Sequence, residues 1–293
     1  MSGGGNPKRS ILNMPGLPGT PDRATTLAIR PVTDMGGFAA CEHLQQRVWG
    51  FAERDLVPRR MFMVAHQIGG LTLGAWDGER LAGFALAFPG QRPGQSYWHG
   101  HMLAVDAGYR NQGVGRALKL HQREAALAHD IDLIEWTFDP LEIKNAYFNF
   151  EVLGARSRRY YPNLYGATSS ALQAGLPSDR MVAEWHLRSP RAAAARGGVR
   201  VEVPAAIHAW KTSGDPRAAE VQARNRDTLL AAFARGLVAV GFDRSSSGDG
   251  AFLLVQSRQL GSATSRAGAR RRQSKPALKR PAGATERKVA SHP

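Results

Sequence analysis

The segment from His101 to Gly115, HMLAVDAGYRNQGVG, constrains the fold of this chain more than any other part of the sequence. A short apolar run is followed by a turn with two glycines and then by apolar residues at helical spacing, namely Val114, Ala117, Leu118, Ala125 and Ala128. This order predicts a strand, a loop and a helix that begins near Gly113 or Val114. The first amide groups of a helix have no partner within it, and with the helix dipole they form an anion site. Because Gly113 and Gly115 let a pyrophosphate approach the backbone, a cofactor that carries a diphosphate is the first hypothesis.

The loop has the spacing Arg110-x-x-Gly113-x-Gly115. This spacing lacks both the Gly-x-Gly-x-x-Gly order of a dinucleotide fold and the Gly-Lys-Ser/Thr ending of a P-loop. It resembles the acetyl-CoA loop of the GNAT acetyltransferase superfamily, written Arg/Gln-x-x-Gly-x-Gly/Ala, which follows a strand with an apolar-x-Val ending, here Leu103 to Val105. Taken alone, the loop is equally compatible with an ordinary glycine-containing turn between a strand and a helix, so the rest of the chain decides.

Upstream of the loop, the sequence predicts two helices and three antiparallel strands. Thr33 or Asp34 caps the first helix, whose apolar stripe contains Phe38, Cys41, Leu44 and Val48. Pro58 opens the second helix. The strands are predicted at residues 71–76, 80–88 and 97–105, and Asp77-Gly78 forms the turn between the first two.

Downstream of the loop, the predicted order is a buried strand at residues 131–138, a helix at 141–153 that ends at Gly154, and closing strands near 155–161 and 181–187. The complete order is similar to the GNAT layout over residues 27–189. The resemblance implies an α/β fold in which a central mixed, mostly antiparallel sheet carries helices on both faces.

The remaining residues form an extension and two tails. Residues 198–257 are predicted as a small α/β C-terminal extension packed on the core, with elements at 201–203, 216–235, 237–242 and 251–255. Residues 1–25 and 259–293 are predicted to be disordered, since they have too few large apolar residues to offset the entropy of ordering. The second tail carries +8 of the formal net charge of +15. It is either a solvated end or an arm that binds a nucleic acid or an acidic partner weakly.

The helix at 141–153 carries the family's second signature in part. GNATs commonly have an Asn, an Ala and a Tyr ahead of a Gly-Phe pair, and here Asn145, Ala146 and Tyr147 precede Gly154. Counted back from Gly154, Phe150 occupies the position at which many GNATs place a tyrosine that protonates the leaving thiolate of CoA. Phe150 has no proton to give, so the resemblance leaves the general acid unassigned.

By resemblance, the co-substrate is acetyl-CoA or another acyl-CoA, and no metal is implied. The strand before the loop pairs its backbone with the pantetheine arm, and the loop amides bind the pyrophosphate. The implied cofactor-binding residues are Leu103, Ala104, Val105, Arg110, Asn111, Gln112, Gly113, Val114, Gly115, Arg116 and Asn145. The alternative for the Arg110 side chain is a salt bridge within the fold.

Three residues are candidates for catalytic groups: His99, His101 and Glu135. Period-two alternation places both histidines on the strand face of Leu103 and Val105. His99 matches the position at which some GNATs carry a general-base glutamate, and an imidazole can accept the proton of an amine near neutrality. The alternative is that both histidines only pack in the strand, and they lack a third metal ligand in the sequence. Glu135 either faces the cleft between the central strands or pairs with a surface arginine.

Composition and the apolar pattern limit the remaining possibilities. Cys41 is the only cysteine, so an intrachain disulfide is impossible, and its place on a helical stripe predicts a buried thiol. No apolar run approaches the ~20 residues that span a bilayer, and the first residues form no continuous apolar signal segment. The expectation is a cytoplasmic protein that does not contact a membrane.

The leading hypothesis for function is an N-acetyltransferase in which an amine acceptor attacks the thioester directly within a ternary complex. The alternative is a non-catalytic acyl-CoA-binding or regulatory module, and a third hypothesis is nucleic-acid association through residues 259–293. The residues that lie where GNATs build their acceptor site, or that pack the helices instead, are Trp49, Phe51, Arg59, Arg60 and Phe62. The family often pairs subunits, so the resemblance also implies a homodimer.

Overall fold

A computed structural model describes residues 26–166, 173–190 and 198–258. The predicted disordered tails at 1–25 and 259–293 lie outside these residues, and so does the partner binding predicted for the second tail. The described residues up to Val255 form one compact unit.

The first half of this unit contains a strand, two helices and three further strands: β1 (Ala28–Pro31), α1 (Met35–Trp49), α2 (Arg59–Gln67), β2 (Leu71–Asp77), β3 (Arg80–Arg92) and β4 (Gln95–Val105). Asp34 caps α1 because its carboxylate accepts a hydrogen bond from the Gly37 amide. Pro58 directly precedes α2, as predicted. Of the predicted turn pair, Gly78 has the positive φ, 57°, whereas Asp77 is the last residue of β2.

The second half begins with the glycine loop and continues through α3 (Val114–Ala128), β5 (Leu133–Phe138), α4 (Ile143–Tyr147), β6 (Tyr160–Tyr161) and β7 (Arg180–His186). The helix predicted at 141–153 is interrupted, since α4 is followed by one π-helical turn at Phe148–Val152. Gly154 ends this segment with a φ of 74°. The strand predicted near 155–161 is reduced to β6 and a bridge between Arg156 and Glu184.

The seven strands form one sheet in the order β1-β2-β3-β4-β5-β7-β6. All neighbours are antiparallel except β4 and β5, which are parallel and pair only at Trp98 with Ile134 and at His99 with Glu135. Helices α1 and α2 cover one face of the sheet, and α3 covers the other. This architecture confirms the predicted fold class. It also leaves the end of β4, from Gly100 to Val105, without a partner strand on the side of β5.

A β-bulge in β4 reverses which residues face each side of the sheet. Leu86 of β3 lies opposite Met102 and the next residue, Ala87, lies opposite Gly100, so His101 is the extra residue. Leu103 therefore contacts the α3 side, as does Gly100 before the bulge. His99, which lies opposite Phe88, faces the α1 and α2 side, and His101 contacts Phe88 there with ring centroids 5.5 Å apart. The prediction that the two histidines share a face with Leu103 and Val105 is wrong, because alternation does not continue through a bulge.

Helix α3 buries a face that is only partly the predicted one. Val114 and Leu118 pack against the sheet as expected, whereas Ala128 is exposed. Lys119 and Gln122 are buried instead, with exposed fractions of 4% and 1%. Two polar side chains therefore lie between this helix and the sheet.

The C-terminal extension contributes β8 (Val199–Val203), α5 (Ile207–Ser213), α6 (Arg217–Ala234), β9 (Leu237–Arg244) and β10 (Gly250–Gln256). Its strands form a second sheet in the order β8-β10-β9, and the sequence analysis missed α5. Phe252 of β10 packs against Phe138 and Phe150 in one hydrophobic core, with ring centroids 6.5 and 5.7 Å away. The extension and the seven-stranded sheet thus share buried surface on the side of α4.

Candidate active site

The separation of β4 from β5 opens a cavity of about 470 Å³. One wall consists of the residues from Gly100 to Leu103 on β4, and the opposite wall consists of Trp136 to Phe138 on β5. The π-helical turn, the connection between α1 and α2, and the chain before β7 close the remaining sides. The two splayed strands thus enclose a single concave site, and the glycine loop follows the end of β4 just beyond the residues that line it.

The glycine loop presents backbone rather than side chains at the start of α3. Gly113 is the N-cap residue in the left-handed conformation, φ 78°, and no side chain caps the first turn. Asn111 also has a positive φ, 60°. The first amides of α3 are therefore left for a ligand, and the helix dipole favours an anion there.

Gly115 has no structural reason to be a glycine. It lies within α3 without a positive φ, and a Cβ there would meet the Leu103 and Val105 side chains only at 3.8 Å, an ordinary contact. Glycine inside a helix is less favourable than alanine by about 1 kcal/mol. The missing side chain therefore leaves space for something outside the protein, as a bound pyrophosphate requires.

The other predicted cofactor residues fall into separate groups. Leu103 and Asn145 line the cavity, whereas Ala104 is buried on the α1 and α2 side and Val114 is in the core. Arg110 is exposed and donates from Nε to the Val105 carbonyl at 3.1 Å, so its side chain bonds to the backbone and not to a carboxylate. Gln112 donates to the Gly108 carbonyl at 2.9 Å. These two side chains hold the loop at both of its ends.

Of the predicted catalytic residues, His101 lines the cavity. The His101 side chain is exposed to the cavity, and the cavity walls enclose it. This enclosure, together with the neighbouring His99, lowers the pKa of His101 to about 4. The pKa of His99 is also lowered, mainly by burial, which outweighs the opposing effect of Glu135. Both imidazoles are therefore neutral at neutral pH.

Glu135 is engaged by arginines beneath the cavity. Arg92 and Arg159 both donate to its Oε1, and its side chain is only 5% exposed. Arg159 also bridges to Glu184 at 3.1 Å. Of the two alternatives for Glu135, the arginine pairing is the one observed, although the pair is buried and not at the surface.

The residues predicted for the acceptor side divide into two sets. Trp49 and Phe51 stack with ring centroids 5.4 Å apart and line the cavity. Phe62 is fully buried in the core between α1, α2 and the sheet. Arg59 bridges to Glu42 at 2.7 Å. The aromatic residues therefore contact the cavity, while the basic residue Arg59 joins the two helices.

The sequence analysis missed three residues at the base of the cavity. The Lys119 ammonium lies 3.9 Å from the centre of the Trp136 ring and donates to Gln122 Oε1 at 3.0 Å. Burial lowers the pKa of Lys119 to about 7. On the π-helical turn, Asn149 accepts from the Trp136 indole at 3.2 Å. The indole can only donate, so this bond fixes the orientation of the Asn149 amide.

This fixed orientation leaves a donor unused. Asn149 Nδ2 is buried and has no hydrogen-bond partner among the described residues. An unsatisfied buried N–H group costs about 1–3 kcal/mol, and Asn149 lines the cavity. A lysine within an otherwise apolar helical stripe, three residues before Gln122 on the same helix face, is the one sequence signal that could have indicated this group.

Residues 38–148 match the acetyltransferase (GNAT) family. This part of the chain is a GNAT acetyltransferase domain. It includes most of α1, the glycine loop, both walls of the cavity and α4. The GNAT domain gives the protein its enzyme class, acyl transfer. None of the curated proteins matches the sequence.

Three solved structures are similar to the GNAT domain. The ribosomal-protein-S18-alanine N-acetyltransferase from Escherichia coli is 18% identical, with 58% of this chain and 97% of that chain covered and a TM-score of 0.44. A GNAT-family acetyltransferase from Streptococcus pneumoniae is 18% identical, with 54% and 97% covered and a TM-score of 0.43. Naa50 from Arabidopsis thaliana, in complex with the bisubstrate analogue CoA-Ac-MVNAL, is 15% identical, with 54% and 97% covered and a TM-score of 0.42.

Membrane-spanning helices and clusters of metal-ligating side chains are both absent from the described residues. Within residues 26–166, 173–190 and 198–258, no helix is long and apolar enough to cross a membrane. The same residues contain no group of three or more His, Cys, Asp or Glu side chains placed to hold a metal ion. Cys41 is free and fully buried, as predicted, and burial raises the pKa of its thiol to about 12.

Proposed function

We propose that this protein transfers an acyl group from acyl-CoA to an amine by direct attack within a ternary complex. The observation that carries the proposal is the separation of β4 and β5 after only two residue pairs. It leaves a strand edge and a cavity directly beside the glycine loop. The strand edge offers unpaired backbone groups to the amides of a pantetheine arm, as an exposed edge does to an added strand.

The residues present fit an acyl-CoA donor in two independent respects. The first turn of α3 is uncapped by side chains, and Gly115 is required neither by backbone conformation nor by packing. Beyond the cavity-lining part of β4, Asn149 has a buried N–H donor with no partner among the described residues. These two features suit a ligand that has an anionic group in one part and a carbonyl group in another.

In the proposed reaction, the neutral acceptor amine attacks the thioester carbonyl carbon. A C–N bond forms, the C–S bond breaks, and the sulfur leaves with its electron pair as a thiolate. The amine must lose a proton, and His101 faces the cavity as a neutral imidazole that can accept it in relay with solvent. The Asn149 amide donates to the carbonyl oxygen as negative charge develops there.

The acceptor would enter from the side of α1 and α2. Trp49 and Phe51 form an aromatic wall there, and Asp55 lies beside them. An aromatic and acidic entrance favours an acceptor that arrives as an ammonium ion. This feature supports an amine acceptor without selecting among small molecules and protein amino termini.

The first experiment is a calorimetric titration of acetyl-CoA and CoA into the parent protein and into Gly115→Glu. The new carboxylate would occupy the pyrophosphate position, so we expect the affinity to fall at least about 100-fold. The control is Ala128→Glu, which adds the same charge to the exposed end of the same helix. Equal affinities in the parent and in Gly115→Glu would refute the loop as the donor site.

Turnover then separates the enzyme from the alternative, a module that binds acyl-CoA without catalysis. A panel of amines is screened for release of free CoA thiol from acetyl-CoA. Release that depends on one class of amine supports the proposal. Saturable binding of acetyl-CoA with no acceptor-dependent release would favour the binding module.

A further inference from the structure

Lys119 is a buried lysine at the base of the cavity. Its exposed fraction is 4%, and its ammonium contacts Gln122 Oε1 and the face of Trp136. Among the described residues, no carboxylate forms a salt bridge with it. A buried lysine without a carboxylate is costly to the fold, so a function is the better explanation of its presence.

The position of Lys119 is the point at which β4 and β5 part. Gly100 follows the last paired residue of β4, and a Cβ on it would lie 3.3 Å from the Lys119 ammonium. The absence of a side chain at Gly100 therefore makes room for the end of Lys119. The indole N–H of Trp136 donates to Asn149 Oδ1, and Asn149 Nδ2 has no hydrogen-bond partner among the described residues. The Lys119 ammonium over the ring face and the Asn149 amide at the indole N–H thus contact one indole ring at the base of the same cavity.

The helical segment that follows β5 does not place a tyrosine hydroxyl beside Lys119 and Trp136. Phe150, at the position where a tyrosine was expected, is fully buried among Phe138 and Phe252. Tyr147 lies beneath the guanidinium of Arg244, 5.9 Å from its ring centre. Tyr165 does line the cavity, but its hydroxyl is 2.7 Å from Thr137, which alternates with Trp136 and faces the opposite side of β5.

We propose that Lys119 is the proton donor to the sulfur that leaves the thioester. This inference rests on the proposed function. When the C–S bond breaks, the electron pair stays on sulfur, a proton passes from the Lys119 ammonium to it, and the products are a neutral thiol and a neutral lysine. The lysine regains its proton from solvent before the next turnover. The proton lost by the attacking amine leaves through the base and balances the one that Lys119 takes back, so transfer from a neutral amine releases no net proton.

The charges around Lys119 allow this role. His99 and His101 lie on the opposite face of β4 as neutral imidazoles, and the nearby Glu135 is paired with Arg92 and Arg159. At the start of α4, Asp139 and Glu142 line the cavity but are bridged by Lys211. An ordinary thiol has a pKa of about 8.5. Transfer from an ammonium with a pKa of about 7 to that thiolate is therefore downhill.

The test titrates the thiol of bound CoA through the ultraviolet absorbance of its thiolate, which needs no acceptor. In the parent near pH 7, where part of Lys119 is still protonated, the ammonium should lower the thiol pKa and raise the fraction of bound CoA present as thiolate several-fold relative to Lys119→Met and Lys119→Gln. Lys119→Arg should keep the lowered thiol pKa, because its charge remains. The matched control is Lys144→Met, which removes an exposed lysine. Tyr165→Phe should leave the thiol titration unchanged.

Turnover assays then distinguish an electrostatic effect of the Lys119 charge from proton donation by its ammonium group. With an identified acceptor, we expect kcat to fall about 100-fold in Lys119→Met and also in Lys119→Arg, since a guanidinium does not release a proton. The affinity for CoA, measured by calorimetry on the same samples, should change much less.

The outcomes distinguish this inference from the proposed function. No binding of CoA by the parent would refute the proposed function itself. Binding with the same thiol titration in the parent and in both neutral Lys119 variants would refute only the role of Lys119. Mass spectrometry that finds the acyl group on Lys119 during turnover would also overturn it, because the nitrogen of an amide cannot serve as the proton donor.

Discussion

The glycine loop before α3 and the base of the cavity are two parts of the proposed site, but they are built differently. The loop uses backbone amides within six consecutive residues, from Arg110 to Gly115. The base uses the side chains of Lys119, Trp136 and Asn149, which come from α3, β5 and the π-helical turn. A site made of local backbone depends on a few φ angles, whereas a site made of distant side chains depends on the packing of every element that carries them. The second kind should be the more sensitive to changes elsewhere in the molecule.

The variant with the largest predicted loss of stability changes a residue of α5, outside the GNAT domain. Lys211 of α5 is 2% exposed and bridges Asp139 at 3.0 Å and Glu142 at 2.9 Å, both of which line the cavity. Burial alone would lower the pKa of Lys211, but the two carboxylates raise it. Lys211→Met leaves them unpaired, so we expect the free energy of unfolding in urea to fall by about 3–5 kcal/mol. Adding Asp139→Asn and Glu142→Gln should recover most of the loss. If Lys211→Met alone left the free energy of unfolding unchanged, the base of the cavity would not depend on packing by the extension.

The second effect concerns the unused donor at the base. Asn149→Leu and Asn149→Asp both lack the N–H group, while the aspartate still accepts from the Trp136 indole. Removal of one oxyanion donor costs about 100-fold in kcat at the least. We expect that loss in both variants, with little change in CoA affinity by calorimetry. Parent-like turnover in Asn149→Asp would show that the indole contact, and not the free N–H, is what matters.

The third effect is a gain in stability. Burial lowers the pKa of Lys119 from its ordinary 10.5 to about 7, so the unfolded chain binds more protons than the folded chain between these values. The parent should therefore become more stable as the pH rises through this window. Lys119→Met should abolish that rise and increase the free energy of unfolding at neutral pH by about 2 kcal/mol. Denaturant unfolding across the window measures both, and a less stable variant would indicate that Lys119 is structural.

The smallest effect separates two glycines within the loop. Gly113 needs its positive φ, so Gly113→Ala should cost about 1 kcal/mol of stability. Gly115 is helical and uncrowded, so Gly115→Ala should gain up to about 1 kcal/mol but weaken CoA binding. Thermal melting and calorimetry on the pair check this contrast. If both variants changed the melting temperature and the CoA affinity alike, the two glycines would not have the separate roles of backbone conformation at Gly113 and space for a ligand at Gly115.

Much of the fold could be predicted because its signals are local. Asp34 caps α1, Gly113 precedes α3 and Gly78 turns the β2–β3 hairpin, each from chemistry within a few residues. The failures come from changes in register. One extra residue at His101 in β4 reverses the strand faces, and one π-helical turn after Tyr147 interrupts the helix. Neither irregularity has a local pattern, since each is stabilised by the partners that surround it.

Local sequence patterns were sufficient to predict the glycine loop and the order of strands and helices, and hence the GNAT domain. Which side chains meet at the base of the cavity follows from tertiary packing. That packing places His99 on the opposite sheet face from Leu103, pairs Glu135 with two arginines, and brings Lys119 and Asn149 into contact with Trp136. The reason is that backbone geometry follows from neighbouring residues, whereas contacts among residues 119, 136 and 149 exist only after three elements have packed together.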